Sequence, residues 1–285
     1  MYQPLTMEVN DYDKNKKNEN PSGNYQAASN TNACDLDEET NTKLRGDAIG
    51  DTLYSQSFVL KTLLTFSDLK WDEEIEEDLC FLWDMTVEKD VCKYLFEISF
   101  PSLACSTIDK CTENRFIEIV IGILANILCA DCDKNITEEE IHIILKELDT
   151  ADSLILIQLA RFISTIAHMF QELPFISENI LNKIKFILCN STNNDLLLKT
   201  LEAVAKLTSS YKLEKSLINL DIINSSLTAY RSIIINENHF ELDTRDKQLA
   251  CRHMLEIVSN VCSYITRFDD NELLLEFKKM FKCIY

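Results

Sequence analysis

The sequence predicts an all-α protein assembled from repeated helices. Only four glycines and four prolines occur among 285 residues, so long stretches lack the residues that most often break helices. A second observation is an apolar helix pattern that returns several times along the chain. A third is a helix-start pattern that returns with the same period. Chance apolar runs are not expected to share a period with helix starts.

The helix pattern is clearest in residues 115–129, which read R-F-I-E-I-V-I-G-I-L-A-N-I-L-C. Apolar residues recur there at three- and four-residue steps, as in a helix buried between neighbouring helices. The few polar positions fall on one narrow stripe along the helix. Similar segments occupy residues 157–167, 198–208 and 252–262.

Two series of aligned positions define the register of these copies. The polar series consists of Asn126, Thr165, Lys206 and Asn260. The buried series, two positions earlier, consists of Leu124, Ile163, Val204 and Val258. In both series the first two steps are each about 40 residues and the last step is longer, which indicates an armadillo- or HEAT-like array. In such an array, helical units stack into a right-handed superhelical solenoid.

Helix-start signals support the same period. Thr137 and Glu140 form a capping-box pattern, and Ser177 starts a similar helix about 40 residues after Thr137. Upstream, Asp72 is the expected N-cap of an amphipathic helix and Thr86 that of the next helix. We expect Pro101 to end that next helix.

The first 44 residues differ in composition from the rest of the chain. They are rich in Asn, Asp, Glu, Lys and Ser and lack a periodic apolar pattern, so we expect a disordered tail at residues 1–44 and the repeat domain at residues 45–285. The lysines at positions 14, 16 and 17 are candidates for part of a nuclear import signal, although such runs are common by chance. No signal peptide or membrane span is recognisable, so we expect the eleven cysteines to be reduced thiols inside the cell.

The formal net charge of −19 argues against a general basic surface for nucleic acid. Residues 71–90 hold nine acidic side chains and one lysine. This acidic segment is interpreted either as a solvated helix face or as a docking surface for a basic partner. The residues proposed for docking are Glu73, Glu74, Glu76, Glu77 and Asp78.

Several motifs resemble a known family. They read G-D-x-I-G-D-T-x-Y-S at residues 46–55, L-C-x-L-W-D-M-T at 79–86, R-x-x-E-I-x-x-G-I-L-x-N at 115–126 and S-T-N-N-D-L-L-L-K at 191–199. They resemble the serum amyloid A-like family of armadillo-type proteins, also called synovial proliferation regulators, and the resemblance spans residues 46–215. It implies a non-enzymatic, intracellular and mainly nuclear helical-repeat protein linked to promotion of cell proliferation. Phe58 stands where the family pattern has tryptophan, and family members are longer than this chain.

The polar stripe is the candidate binding surface. In the armadillo proteins that this chain resembles, an asparagine on the third helix of each repeat bonds the backbone of an extended peptide, and Asn126 and Asn260 stand at that position. The proposed groove is mixed in charge, which favours recognition of particular side chains in extended or basic segments of other proteins. The alternative is a solvated stripe. The groove residues are Arg115, Glu118, Asn126, Arg161, Glu202, Lys206, Arg252, Glu256 and Asn260.

No catalytic motif is recognisable. The four histidines are scattered and have no nucleophile and acid in a known arrangement, so we expect no enzyme, no cofactor and no metal. One alternative is a thiol or metal protein using Cys129 and Cys132, although structural zinc needs four ligands and this C-x-x-C has no second pair. Another is a transport adaptor that carries basic cargo on the acidic segment. The expected partners are other proteins, and we expect no direct contact with nucleic acid or membrane. The expected location of the chain is the nucleus and also the cytoplasm.

Overall fold

The computed structural model describes residues 46–67, 71–130, 136–170, 172–209, 220–235, 244–268 and 275. Contacts divide the chain into two units, Met1–Gly46 and Asp47–Tyr285, and every helix below lies in the second unit. The predicted tail at residues 1–44, with its lysine run, lies outside the described residues.

The described residues are helical apart from turns, short connections and one isolated bridge between Ala48 and Ser55, which confirms the all-α prediction. A short 3-10 helix spans Glu147–Asp149. The helices described are α1 Gln56–Ser67, α2 Glu73–Met85, α3 Lys89–Glu97, α4 Phe100–Ile108, α5 Asn114–Cys129, α6 Glu138–Lys146, α7 Ser153–Met169, α8 Glu178–Asn190, α9 Asn194–Ser209, α10 Leu220–Ile235 and α11 Thr244–Phe268.

Five helices pack in series, and we call them the row helices. Helix α2 packs on α5, α5 on α7, α7 on α9 and α9 on α11. All four predicted copies of the repeated pattern lie in this series, in α5, α7, α9 and α11. A second series packs alongside, with α4 against α6 and α8 against α10. The chain therefore alternates between two sets of helices as it advances.

The predicted apolar register agrees with the burial of the row helices. Leu124, Ile163 and Val204 are at most 2% exposed, while Val258 is half-buried and packs against the core. Helix α5 has the most complete burial, with 12 of its 16 residues buried. Because α5 contacts α2, α3, α4 and α7, neighbours cover it on most of its circumference.

The motif at residues 46–55 folds as a turn that is fixed to α3. The Asp47 carboxylate accepts hydrogen bonds from the Ser55 hydroxyl and from the Ser57 backbone N–H. Gly50 has φ +53°, and a Cβ there would overlap the carboxylate of Asp90, so the turn requires glycine. The motif thus has a structural explanation.

Three of the predicted helix starts are confirmed. The side chains of Asp72, Thr137 and Ser177 each accept a backbone N–H at the start of α2, α6 and α8. Glu140 completes the capping box with Thr137.

Two other helix-boundary predictions are wrong. Thr86 caps the end of α2 instead of starting α3, whose N-cap is Glu88. Pro101 lies in the first turn of α4 and does not end α3. Helix α3 ends at Glu97 because the chain turns at Ser99, which has a left-handed φ of 62°. Proline is tolerated in a first turn, where its missing N–H needs no partner.

None of the helices in the described residues is both long enough and apolar enough to cross a membrane.

Candidate functional site

The five docking residues of the predicted acidic segment lie in the first two turns of α2. Asp72 caps the helix by accepting the Ile75 N–H at 2.9 Å, and the acidic side chains that follow lie where the helix dipole favours negative charge. They differ in exposure. Glu73, Glu74 and Glu77 are exposed, whereas Glu76 and Asp78 are half-buried.

Arg115 connects the acidic segment to the polar stripe. Its Nε donates to Glu76 Oε1 on α2 at 3.0 Å, and its Nη1 donates to Glu118 Oε2 at 2.7 Å. The hydrogen bond to Glu118 raises the pKa of Arg115. Glu118 is only 6% exposed, so its carboxylate faces Arg115 under the surface. The Arg115 guanidinium neutralises the buried carboxylate of Glu118, which would be costly to bury without a partner.

Asn126 bonds to both of the row helices beside it. Its Nδ2 donates to Thr86 Oγ1, at the end of α2, at 2.8 Å. Its Oδ1 accepts from Arg161 Nη2 on α7 at 2.6 Å. Arg161 Nη1 in turn donates to Gln158 Oε1 at 2.5 Å, and Gln158 is buried. One amide therefore links three consecutive row helices.

Asn260 forms the equivalent bond between the last two row helices. Its Nδ2 donates to Thr208 Oγ1 at 3.2 Å and to the Ala205 carbonyl at 3.1 Å. In each case an asparagine on one row helix bonds a threonine on the row helix before it. We call the pairs Thr86–Asn126 and Thr208–Asn260 the asparagine–threonine ties.

The threonine in each tie is oriented by its own helix. The Thr86 hydroxyl donates to the Trp83 carbonyl at 2.5 Å, and the Thr208 hydroxyl donates to the Val204 carbonyl at 2.9 Å. A hydroxyl has a single hydrogen, so each threonine oxygen is left to accept the asparagine N–H. This arrangement explains why the donor is an amide and the acceptor a hydroxyl.

Gly122 makes room for Trp83. A Cβ at Gly122 would overlap Trp83 Cζ2, so the indole covers α5 at this position and leaves no space for a side chain. Trp83 and Thr86 stand three positions apart at the end of α2, and Gly122 and Asn126 stand four positions apart, about one turn, on α5. The separation of Thr86 from Asn126 is 40 positions, which is close to the period of the predicted repeat.

The ion pairs on α9 and α11 stay within one helix. Lys199 Nζ lies 2.9 Å from Glu202 Oε2, and Arg252 Nε lies 3.0 Å from Glu256 Oε1. His253 is only 9% exposed, and burial lowers its pKa. Its Nδ1 lies 3.6 Å from Glu256 Oε2, which is too long for a hydrogen bond.

A pocket of about 450 Å³ opens on the polar stripe over α5, α7 and α9. It brings together four of the nine predicted groove residues, Asn126, Arg161, Glu202 and Lys206. The other five lie on the same row helices outside its lining. The remaining polar side chains of the pocket are Cys129, Ser164, Thr165, His168 and Lys199.

A larger pocket of about 790 Å³ lies away from these residues. It is formed by the 3-10 helix, the start of α7, α8 and the start of α9, and includes the exposed ring of Phe186. None of the predicted groove residues lines it.

The structure adds residues that the sequence did not assign to the groove. Thr86, Gln158 and Thr208 bond groove residues, and Lys199 and His168 line the pocket. Only Thr86 had a usable signal, because it lies one repeat period before Asn126. The peptide-binding role of the groove and of the acidic segment stays a prediction.

The proposed thiol site is described only in part. Cys129 is exposed at the end of α5, while Cys132 lies outside the described residues. Within the part of the chain that the structure describes, no group of three or more His, Cys, Asp or Glu side chains is placed to hold a metal ion. The thiol or metal alternative therefore stays a prediction.

Comparison with known proteins shows which proteins this chain is similar to. Residues 180–244 match the family described as SAAL1 C-terminal domain. That match extends past residue 215, where the motif resemblance ends. The name SAAL1 is consistent with the serum amyloid A-like family that the motifs indicate.

Three relatives illustrate the similarity. Protein saal1 of Danio rerio is 31% identical over 193 residues, which cover 60% of this chain and 41% of the relative. Protein SAAL1 of Homo sapiens is 30% identical over 192 residues, covering 57% and 40%, and Protein saal1 of Xenopus tropicalis is 28% identical over 191 residues, covering 57% and 40%. The matched part thus spans about two fifths of these relatives. No solved structure gives a significant match.

Proposed function

We propose that the chain is an armadillo-like, right-handed superhelical scaffold that binds other proteins through the polar stripe of its row helices, without catalysis. The observation that supports this most is the pocket of about 450 Å³, which gathers groove residues from three row helices at one place. The serial packing of these helices supports a repeat array, since each unit of such an array contacts its neighbours.

The biological setting of this proposal comes from the motif resemblance, and the similarity to SAAL1 proteins agrees with that family. We place the scaffold in the nucleus, and also in the cytoplasm, and link it to promotion of cell proliferation. Its partners are other proteins that present extended segments. Because the match covers about two fifths of the relatives, these roles are proposals for this chain.

The acidic segment favours a second candidate function, a transport adaptor for basic cargo. Glu73, Glu74 and Glu77 are exposed in the first turns of α2, and none of them forms an ion pair with a base among the described residues. Their charge is therefore available to a lysine- or arginine-rich partner. Through Glu76 and Arg115, this surface adjoins the polar stripe.

Charge reversal of each surface separates the two candidates. The groove variant combines Lys206→Glu and Arg252→Glu, and the acidic-segment variant combines Glu73→Lys, Glu74→Lys and Glu77→Lys. A matched control combines Lys110→Glu and Arg231→Glu, because both residues are exposed and lie outside the row helices. Proximity labelling in cultured cells, with each variant expressed at equal level, measures which neighbouring proteins depend on each surface.

The scaffold proposal expects the groove variant to lose a defined set of labelled proteins that the control retains. The adaptor proposal expects that loss only in the acidic-segment variant, together with a bias towards lysine- and arginine-rich partners. A groove variant whose labelled set equals that of the control would refute the scaffold proposal. Circular dichroism on all four proteins checks that each variant is folded.

A further inference from the structure

The pocket on the polar stripe has a charge opposite to that of the chain. The full sequence has a formal net charge of −19. The pocket lining holds three cations, Arg161, Lys199 and Lys206, and one carboxylate, Glu202, which is a net charge of +2 when His168 is counted as neutral. A local positive field in an acidic protein selects for anionic groups.

Arg161 is the most confined of these cations. It is half-buried, and its guanidinium donates to the neutral side-chain oxygens of Asn126 and Gln158. No carboxylate forms an ion pair with this guanidinium among the described residues. Burial lowers the pKa of Arg161, as expected for a cation that has lost part of its hydration. Two of its five N–H donors are used in these bonds, so donors remain for a ligand.

The two lysines differ in how firmly they are held. Lys199 Nζ is paired with Glu202 Oε2 at 2.9 Å, and both side chains are about a third exposed or more, so solvent screens the pair. The Lys206 ammonium makes no hydrogen bond or ion pair in the part of the chain that is described. Although burial raises the pKa of Glu256, the charge of Lys206 is among the causes that lower it, so the ammonium lies near that carboxylate without bonding it and can still turn towards a ligand. The hydroxyl of Ser164 adds a neutral donor to the same lining.

We infer that this pocket binds the anionic side chain of a partner segment, as a carboxylate or a phosphate held by Arg161 and Lys206. The inference rests on the proposed scaffold function and names the chemistry of its partner. A guanidinium with a fixed orientation suits a planar carboxylate or a phosphate. A volume of about 450 Å³ holds such a side chain with part of its neighbours, and not merely a small ion.

An oriented peptide array tests this inference directly. The probes are immobilised eleven-residue peptides with random flanks and one fixed central residue, which is phosphoserine, aspartate, glutamate, alanine or lysine. Purified full-length chain is applied at low salt and again at high salt. We expect peptides with a fixed anion to retain at least about threefold more protein than peptides with fixed alanine, and the ratio to fall at high salt. Comparison of phosphoserine with aspartate and glutamate identifies the preferred anion.

Three variants test whether the preference for anionic peptides arises from the pocket. Arg161→Gln and Lys206→Gln each remove one pocket cation, and Arg231→Gln removes one exposed cation on α10 outside the pocket. We expect the first two to reduce the anion-to-alanine ratio to below half of the wild-type ratio, and the third to leave it unchanged. Since Arg161 also bonds Asn126, Lys206→Gln keeps the test valid if Arg161→Gln fails to fold.

Each result leads to a decision. Binding of the array without any anion preference would overturn the pocket inference and leave the scaffold function standing. An anion preference that survives Lys206→Gln and a folded Arg161→Gln would overturn the inference as well, because the anion would then bind elsewhere. Absence of binding to every peptide class would count against both the inference and the scaffold function.

Discussion

The N-terminal part of the row, α2, α5 and α7, and its C-terminal part, α9 and α11, carry polar residues at aligned positions but bond them differently. In the N-terminal part, Arg115 and Arg161 each bond a side chain three positions away on the same helix and also a side chain on the preceding row helix, Glu76 and Asn126 respectively. In the C-terminal part, the ion pairs Lys199–Glu202 and Arg252–Glu256 join residues three or four apart on one helix. The Thr208–Asn260 tie is the exception there.

This difference in bonding indicates that the two parts of the polar stripe have different roles. Bonds between helices fix their relative position and occupy the polar groups that form them. Partly exposed ion pairs within one helix contribute only about 0.2 to 0.5 kcal/mol, so a partner can replace them at low cost. The N-terminal part is therefore expected to act as a rigid support, and the C-terminal part to present exchangeable charges.

The largest expected effect compares aligned apolar positions in the two parts. Leu124→Ala should lower the free energy of unfolding by about 2 to 5 kcal/mol, because it leaves a cavity at a fully buried site. Val258→Ala, at the half-buried position, should cost about 1 kcal/mol. Urea unfolding of both variants measures the difference. Equal losses would mean that the two parts of the row are packed alike.

The second prediction concerns the contact between Trp83 and Gly122. Gly122→Ala should destabilise the protein by about 3 kcal/mol, because the new methyl group would overlap the indole. A double variant with Trp83→Leu should recover part of this loss, since the smaller side chain frees the space. A loss that is the same with and without Trp83 would contradict direct overlap.

The third prediction compares the two ties. Asn126→Ala should cost about 2 kcal/mol, because it removes bonds to two helices, whereas Asn260→Ala should cost about 1 kcal/mol. Double-mutant cycles with Thr86→Val and Thr208→Val measure the coupling in each tie. The coupling should be positive in both cycles, and a value near zero in either would show that the bond adds no stability.

The smallest expected effect is a pH dependence in the C-terminal part. Burial lowers the pKa of His253 below its ordinary value of 6.5, so the unfolded chain takes up this proton at higher pH than the folded chain. Folding stability linked to His253 is therefore full above pH 6.5 and declines as the pH falls through the lowered pKa. His253→Gln should reduce this decline in thermal midpoints between about pH 7 and pH 5, where histidine titrates. The exposed His142→Gln is the control and should match the wild type.

Local signals in the sequence were sufficient for much of the fold. The helical periodicity around Leu124 indicated the buried register, and the Thr137 capping box indicated a helix start, because both depend on neighbours within one or two turns. The left-handed turn at Ser99 carried no such signal, since no glycine marks it. That is why Pro101 was predicted to end a helix and instead lies in the first turn of the next one.

The site was harder to predict because its bonds join distant parts of the chain. The stripe position of Asn126 followed from helical periodicity, but its partners depend on which helices are neighbours in space. Arg161 is 35 residues away from Asn126 and Thr86 is 40. Thr86 stands one repeat period before Asn126, but its sequence context predicted only a helix cap. Gln158 aligns with Lys199 and His253, so its position alone does not identify it as a partner of Arg161.

The burial of α5 determines where exchange with solvent should be slowest. With 12 of its 16 residues buried and four other helices against it, we expect no local opening to expose its amide protons. They should exchange with deuterium only when the surrounding helices separate together, which makes α5 a direct reporter of global unfolding. A bound protein at the C-terminal charges should then slow deuterium uptake in α9 and α11 well before it alters that of α5.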